Sequence, residues 1–168
     1  MVRLGSVIAI GLAAGLLVGA DDPSGIPNDG LDRFVGSWTC SGHFVPSNRP
    51  ISATLAITRD PSTDAIIIRH DDVAPGRFHS IELWTANRPS LGFRASVADN
   101  FTGTRWFVSP GWDGDVLRWS RPDTDKPTEQ FVYTAVGQDR MRIDWNIVRG
   151  ANPLTLGDTL DCRREGKR

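Results

Sequence analysis

An all-β fold is predicted: a roughly ten-stranded antiparallel up-and-down barrel without a helical lid. Three observations predict it. From residue 32 to the C-terminus, short runs rich in β-branched and aromatic residues alternate with turn clusters, and no stretch sustains apolar spacing at three and four. The linkers are short, so consecutive strands are antiparallel neighbours. The count is even and high, and a meander of that size removes its exposed edges by closing on itself.

The first twenty residues stand outside this pattern. Met1 to Arg3 form a short basic start, Leu4 to Val18 an apolar run, and Val18-Gly19-Ala20 a small-residue cleavage pattern, the layout of a secretory signal peptide. Residues 21–31, DDPSGIPNDGL, are polar and rich in Pro and Gly and read as a flexible leader. Residues 32–168 form the barrel domain, a size served by one core. Removal of the signal leaves a secreted or periplasmic protein with no stable membrane insertion. Cys40 and Cys162 are then expected to form a disulfide, which makes the first and last strands neighbours and contributes on the order of 4 kcal/mol in the chain-entropy model.

The strands expected in order are Phe34–Phe44, Ile51–Arg59, Ala65–Asp72, Arg77–Thr85, Leu91–Ala98, Thr104–Ser109, Asp115–Arg121, Thr128–Val136, Met141–Arg149 and Thr155–Arg163. Their linkers, PSNRP, DPSTD, VAPG, NRPS, DNFTG, PGWDG, PDTDKP, GQDR and GANP, each contain Gly, Pro, Asn or Asp, which set the backbone angles of turns. Alternation is clear in Met141, Ile143, Trp145 and Ile147 against Arg142, Asp144 and Asn146. It is ambiguous in Thr104–Ser109, where both faces carry something apolar.

The stretch Ile66–Trp84 holds two of the three histidines. With Val73-Ala74-Pro75-Gly76 as the turn, a plain register pairs Asp72 with Arg77, His70 with His79, Ile68 with Ile81 and Ile66 with Leu83 on one face. The other face carries Arg69, Phe78, Glu82 and Trp84. The uniformly apolar Ile66, Ile68, Ile81 and Leu83 favour the histidine face as the inner one; the bulk of Trp84 favours the other.

Phe34-Val35-Gly36-Ser37-Trp38 resembles the opening motif of calycins, the superfamily of lipocalins, fatty-acid-binding proteins and nitrobindins. The resemblance implies that Trp38 lies across the closed end of a lipocalin-like barrel, with Arg163 or Arg164 packed on its indole. The connection between the first two strands is too short for the helical lid of fatty-acid-binding proteins. Nitrobindin-type haem binding needs a late axial histidine, and His79 is the last here, so no cofactor is expected. The chain is also similar to exported bacterial proteins of unknown function through His70-Asp71-Asp72, His79-Ser80-Ile81-Glu82-Leu83-Trp84, Gly111-Trp112-Asp113-Gly114-Asp115 and the segment from Gly157 to Arg164. That likeness implies a fold and no activity.

The near-neutral balance of 19 basic and 20 acidic residues provides no field for nucleic acid. His70, His79 and Asp72 contain the residue types of a divalent metal site, but Glu82 lies on the other face and spacing supports no third ligand from another strand, so no metal is expected; there is no phosphate-cradling loop or dinucleotide fingerprint. Three readings remain. The leading one is a binding protein for a small apolar or amphipathic acidic molecule, with aromatics for the tail and guanidinium groups for the carboxylate. The lining expected for it is Arg69, Glu82, Trp84, Arg105, Trp106, Arg118, Trp119 and Trp145. The second is a proton-transfer or isomerase enzyme centred on His70, Asp72 and His79, where a carboxylate orients an imidazole that titrates near neutral pH. The third is a structural envelope protein with a filled core. Oligomeric state is not legible.

Overall fold

The computed structural model describes residues 30–87, 92–122 and 128–166. The expected signal peptide, nearly all of the expected leader, and most of the linkers NRPS and PDTDKP lie outside them. The chain is all-β. Its strands are β1 (Gly36–Phe44), β2 (Arg49–Arg59), β3 (Ile66–Asp72), β4 (His79–Asn87), β5 (Gly92–Asp99), β6 (Gly103–Ser109), β7 (Trp112–Asp113), β8 (Val116–Ser120), β9 (Glu129–Ala135), β10 (Arg140–Ile147) and β11 (Thr155–Arg164). Ten of them form the wall of a closed antiparallel barrel, a calycin-like architecture, and β7 is a two-residue addition beside β8.

Alternation between lumen and solvent is clear on several strands, while on β11 a bulge interrupts it at Gly157. On β2, Ile51, Ala53, Leu55 and Ile57 are buried while the residues between them are exposed. β1 pairs with β11 over seven positions from Trp38↔Arg164 to Phe44↔Asp158. Cys40 and Cys162 stand directly opposite each other there, joined by a disulfide inside the core. The disulfide therefore reinforces a fully bonded strand pair. The thinnest closure is elsewhere, between β6 and β8, where Val108↔Ser120 is the one paired position.

One end of the barrel is plugged. The 3-10 turn Leu31–Phe34 crosses it, burying Leu31 and Phe34. Phe34 stacks on Trp112 at 5.3 Å and meets Tyr133 and Trp84 edge-on at 5.7 and 6.2 Å. Trp38 is fully buried below, donating its indole N–H to the Phe34 carbonyl at 2.8 Å. Of the two arginines that the calycin likeness offered for its ring, Arg164 is the one that packs there, 4.2 Å from the centroid, because Arg163 points outward. The guanidinium also donates to the carbonyls of Val35 and Arg33. Gly36 has φ of 146°, and a Cβ there would lie 2.5 Å from the Arg164 guanidinium, so both backbone and space require glycine. Trp38, Trp84 and Trp119 each remove on the order of 200 Å² from water, on the order of 5 kcal/mol apiece before entropy is charged.

The β3–β4 hairpin differs from its expected register by one residue. The observed pairs are Ile66↔Trp84, Ile68↔Glu82, His70↔Ser80 and Asp71↔His79. The turn is one residue longer than VAPG: Asp72 and Phe78 face each other across five residues, the Asp72 amide donating to the Phe78 carbonyl at 2.9 Å and the Phe78 amide to Asp72 Oδ2 at 3.2 Å. A slip of one moves a whole strand to the other face. The inner face is thus a mixture of the two expected faces: Ile66, Ile68, His70 and Asp72 from β3 with Ser80, Glu82 and Trp84 from β4.

Candidate functional site

At the end opposite the plug the core is not filled. A cavity of about 280 Å³ lies between the walls. Its apolar surface comes from Phe44, Ile51, Val97, Phe131, Tyr133, Ile143, Trp145 and Leu160, with Phe78 and Phe101 from the loops after β3 and β5. Those two loop rings stack parallel at 6.3 Å. Its titratable surface comes from His70, Asp72, Glu82, Asp99, Arg105, Glu129 and Asp158.

The polar groups are arranged in two sets. In the first, Arg105 on β6 is held between Asp99 on β5, Nη2 to Oδ2 at 2.6 Å, and Glu129 at the start of β9, through Nη1 and Oε1. Asp99 also caps its own turn, accepting from the amides of Phe101 and Thr102 at 2.8 and 2.7 Å and from the Thr102 hydroxyl at 2.6 Å. Despite burial, these hydrogen bonds and the guanidinium hold the Asp99 carboxyl below the usual carboxylate range. Glu129 accepts a further hydrogen bond from the Trp145 indole at 2.9 Å. Both Nη groups of Arg105 are therefore occupied by carboxylates, while its Nε is buried without a hydrogen-bond partner.

In the second set, Glu82 accepts from the Trp84 indole at 3.0 Å and lies 3.5 Å from the Ser80 hydroxyl. Burial pushes its carboxyl up, against the pull of His70 and Arg105. Asp72 Oδ1 lies 3.5 Å from His70 Nε2. Burial raises the Asp72 carboxyl, but His70 and the Phe78 amide outweigh it and bring it below the ordinary range. Asp158 on β11 is pushed up to about 6 by burial and by the charges of Asp72 and Asp144, with His70 and Arg149 opposing. The Tyr133 hydroxyl is held far above its ordinary value by burial and by Glu82, so it stays protonated.

Of the residues the sequence proposed for a binding surface, Glu82, Arg105 and Trp145 line this cavity. Trp84 and Trp119 face inward but pack against each other at 4.7 Å in the filled half of the core. Arg69, Trp106 and Arg118 are on the outer wall. Trp106 is 42% exposed beneath Arg94, because the β6 face turned inward is the one carrying Arg105 and Phe107. Arg118 lies 3.9 Å from Asp113 at the surface. Of the residues proposed for acid–base chemistry, His70 and Asp72 are in the cavity and His79 is not. The one-residue register difference puts His79 on the outer wall, 52% exposed, its Nδ1 2.9 Å from Asp71. The three do not converge.

Glu129, Asp158 and Phe131 were not singled out in the sequence. A parity argument reaches Asp158: the calycin likeness lays Trp38 across the closed end, two residues on is Cys40, its partner is Cys162, and Leu160 and Asp158 follow in phase on the last strand. Glu129 is in phase with Phe131 and Tyr133, but nothing in the sequence orients β9. Among the described residues, no group of three or more His, Cys, Asp or Glu side chains is placed to hold a metal ion. Compared with protein-family models and with curated proteins, the chain matches no family model and no curated sequence.

Proposed function

We propose that this chain is an exported small-molecule-binding protein that carries a compact apolar or amphipathic molecule in its barrel. The observation that carries this reading is the aromatic-walled cavity, set in a barrel whose other half is packed solid. A protein whose core served only stability would bury more apolar surface by filling that space. The volume is near the lower end of ligand pockets, which run about 300–1,000 Å³, so the occupant is small. Export is supported by the signal-like residues 1–20 and by a disulfide, which persists in oxidising compartments. The likeness to exported bacterial barrel proteins belongs to the same reading.

The test is native mass spectrometry of the protein purified from its own host, beside a Val97→Trp variant that fills the cavity. The wild type is expected to carry an additional small mass that the folded variant lacks. A wild-type protein that is always empty, and that takes up no neutral environment-sensitive dye, overturns the reading.

A further inference from the structure

The charge of the cavity identifies the kind of molecule it takes, an inference that rests on the binding reading above. Arg105 is neutralised by Asp99 and Glu129 at close range. What remains is an imbalance: Glu82, Asp72 and Asp158 share His70 as the basic side chain that all three face from within the cavity. Even with the imidazole charged, the set is electronegative. The Asp158 carboxylate, on a strand paired on both sides, has neither a hydrogen bond nor an ion pair among the described residues. His70 Nε2 is fully buried and makes no hydrogen bond.

We propose that the cavity binds a small organic ammonium ion on an apolar body. A carboxylic acid would add a like charge to this set, and the cavity's guanidinium, Arg105, already faces two carboxylates. An ammonium ion finds carboxylates and, lining the same cavity, the aromatic rings of Phe131, Tyr133 and Trp145, whose quadrupoles attract a cation. Low-dielectric walls concentrate the field of the acids into the cavity.

Three probes of one shape separate the possibilities: 3-phenylpropylamine, 3-phenylpropanol and 3-phenylpropionate, titrated at pH 7.5 and low salt against the full chain and followed by calorimetry and tryptophan fluorescence. The amine is expected to bind at least about tenfold tighter than the alcohol, and the carboxylate weakest, a tenfold difference being about 1.4 kcal/mol. Asp158→Asn and Asp72→Asn, checked for fold by circular dichroism, are expected to reduce the preference for amine over alcohol, read as the ratio of the two affinities on each variant. An alcohol or carboxylate that binds as well as the amine, or a preference that neither variant alters, overturns the ammonium assignment and leaves a binding cavity in place. Failure of all three probes overturns the ammonium assignment, and it overturns the binding reading as well if the wild type is also always empty and takes up no neutral dye.

Discussion

Asp158 shows how a single side chain couples cavity and stability. Its carboxyl titrates at about 6 in the fold, against 3.8 for the free group, because burial and the charges of Asp72 and Asp144 outweigh the help of His70 and Arg149. Between those two values the folded chain binds more protons than the unfolded one, so this group makes stability fall as pH rises through the window. Above about 6 the full penalty is present, on the order of 3 kcal/mol; below about 4 it is absent. Asp158→Asn is accordingly expected to melt at a higher temperature than the wild type at pH 7.5 and at the same temperature at pH 4. Thermal melts at the two pH values check this, and an equal shift at both would mean that the gain comes from something other than charge. A carboxylate kept at such a cost in a core that could be neutral is the signature of a site shaped for something other than stability.

At the scale of elements, the hairpin from β3 to β4 and the seam from β6 to β8 decide most of the site. The hairpin's extra turn residue brings Glu82 round to join His70 and Asp72, and sends His79 out. The seam closes the barrel through Val108↔Ser120, whereas β1 and β11 share seven paired positions. Local opening follows the weakest pairing. Amide hydrogen exchange is expected to be fastest, among the wall strands, in β6 and β8, and slowest in β1, β2 and β11. Equal protection at the seam and in β1 would contradict this. Arg105 lines the cavity and its guanidinium lies over Phe107, both on β6, so an opening seam is also the route by which the cavity wall loosens.

For the whole molecule, closure and the disulfide act on the same topology. Cys40 and Cys162 are 122 residues apart in sequence and buried, so the bond restricts the unfolded chain far more than it shapes the folded one. Cys40→Ser with Cys162→Ser is expected to lower the unfolding free energy by about 2–5 kcal/mol and to leave a folded barrel, because β1 and β11 remain paired without it. Urea unfolding gives the magnitude, and the circular dichroism of the variant reports whether the fold persists. Loss of the β spectrum under native conditions would show that strand pairing alone does not close the barrel.

Much of this architecture is legible in the residues. Ten wall strands, their antiparallel order, the pairing of the first with the last and the disulfide all follow from local signals: period-two alternation, turn residues at the linkers, and two cysteines near the ends. The two-residue β7, hidden inside a turn cluster, does not. The site is much less legible. Glu82, Arg105, Trp145, His70 and Asp72 could be named because they stand in strands with the residue types of a binding or acid–base site, but Arg69, Trp106 and Arg118 looked the same and face solvent. Which face is inner depends on register, and register depends on one residue in a turn. Which acids go unneutralised depends on strands far apart in sequence: β6 supplies the arginine that occupies Asp99 and Glu129, and β3, β4 and β11 bring together the acids left around His70. By itself, then, the sequence determined the strands and their order, because those are set by neighbours along the chain. Only the tertiary structure decided which charges line the cavity, because the charge of a cavity is a sum over side chains that closure alone brings face to face.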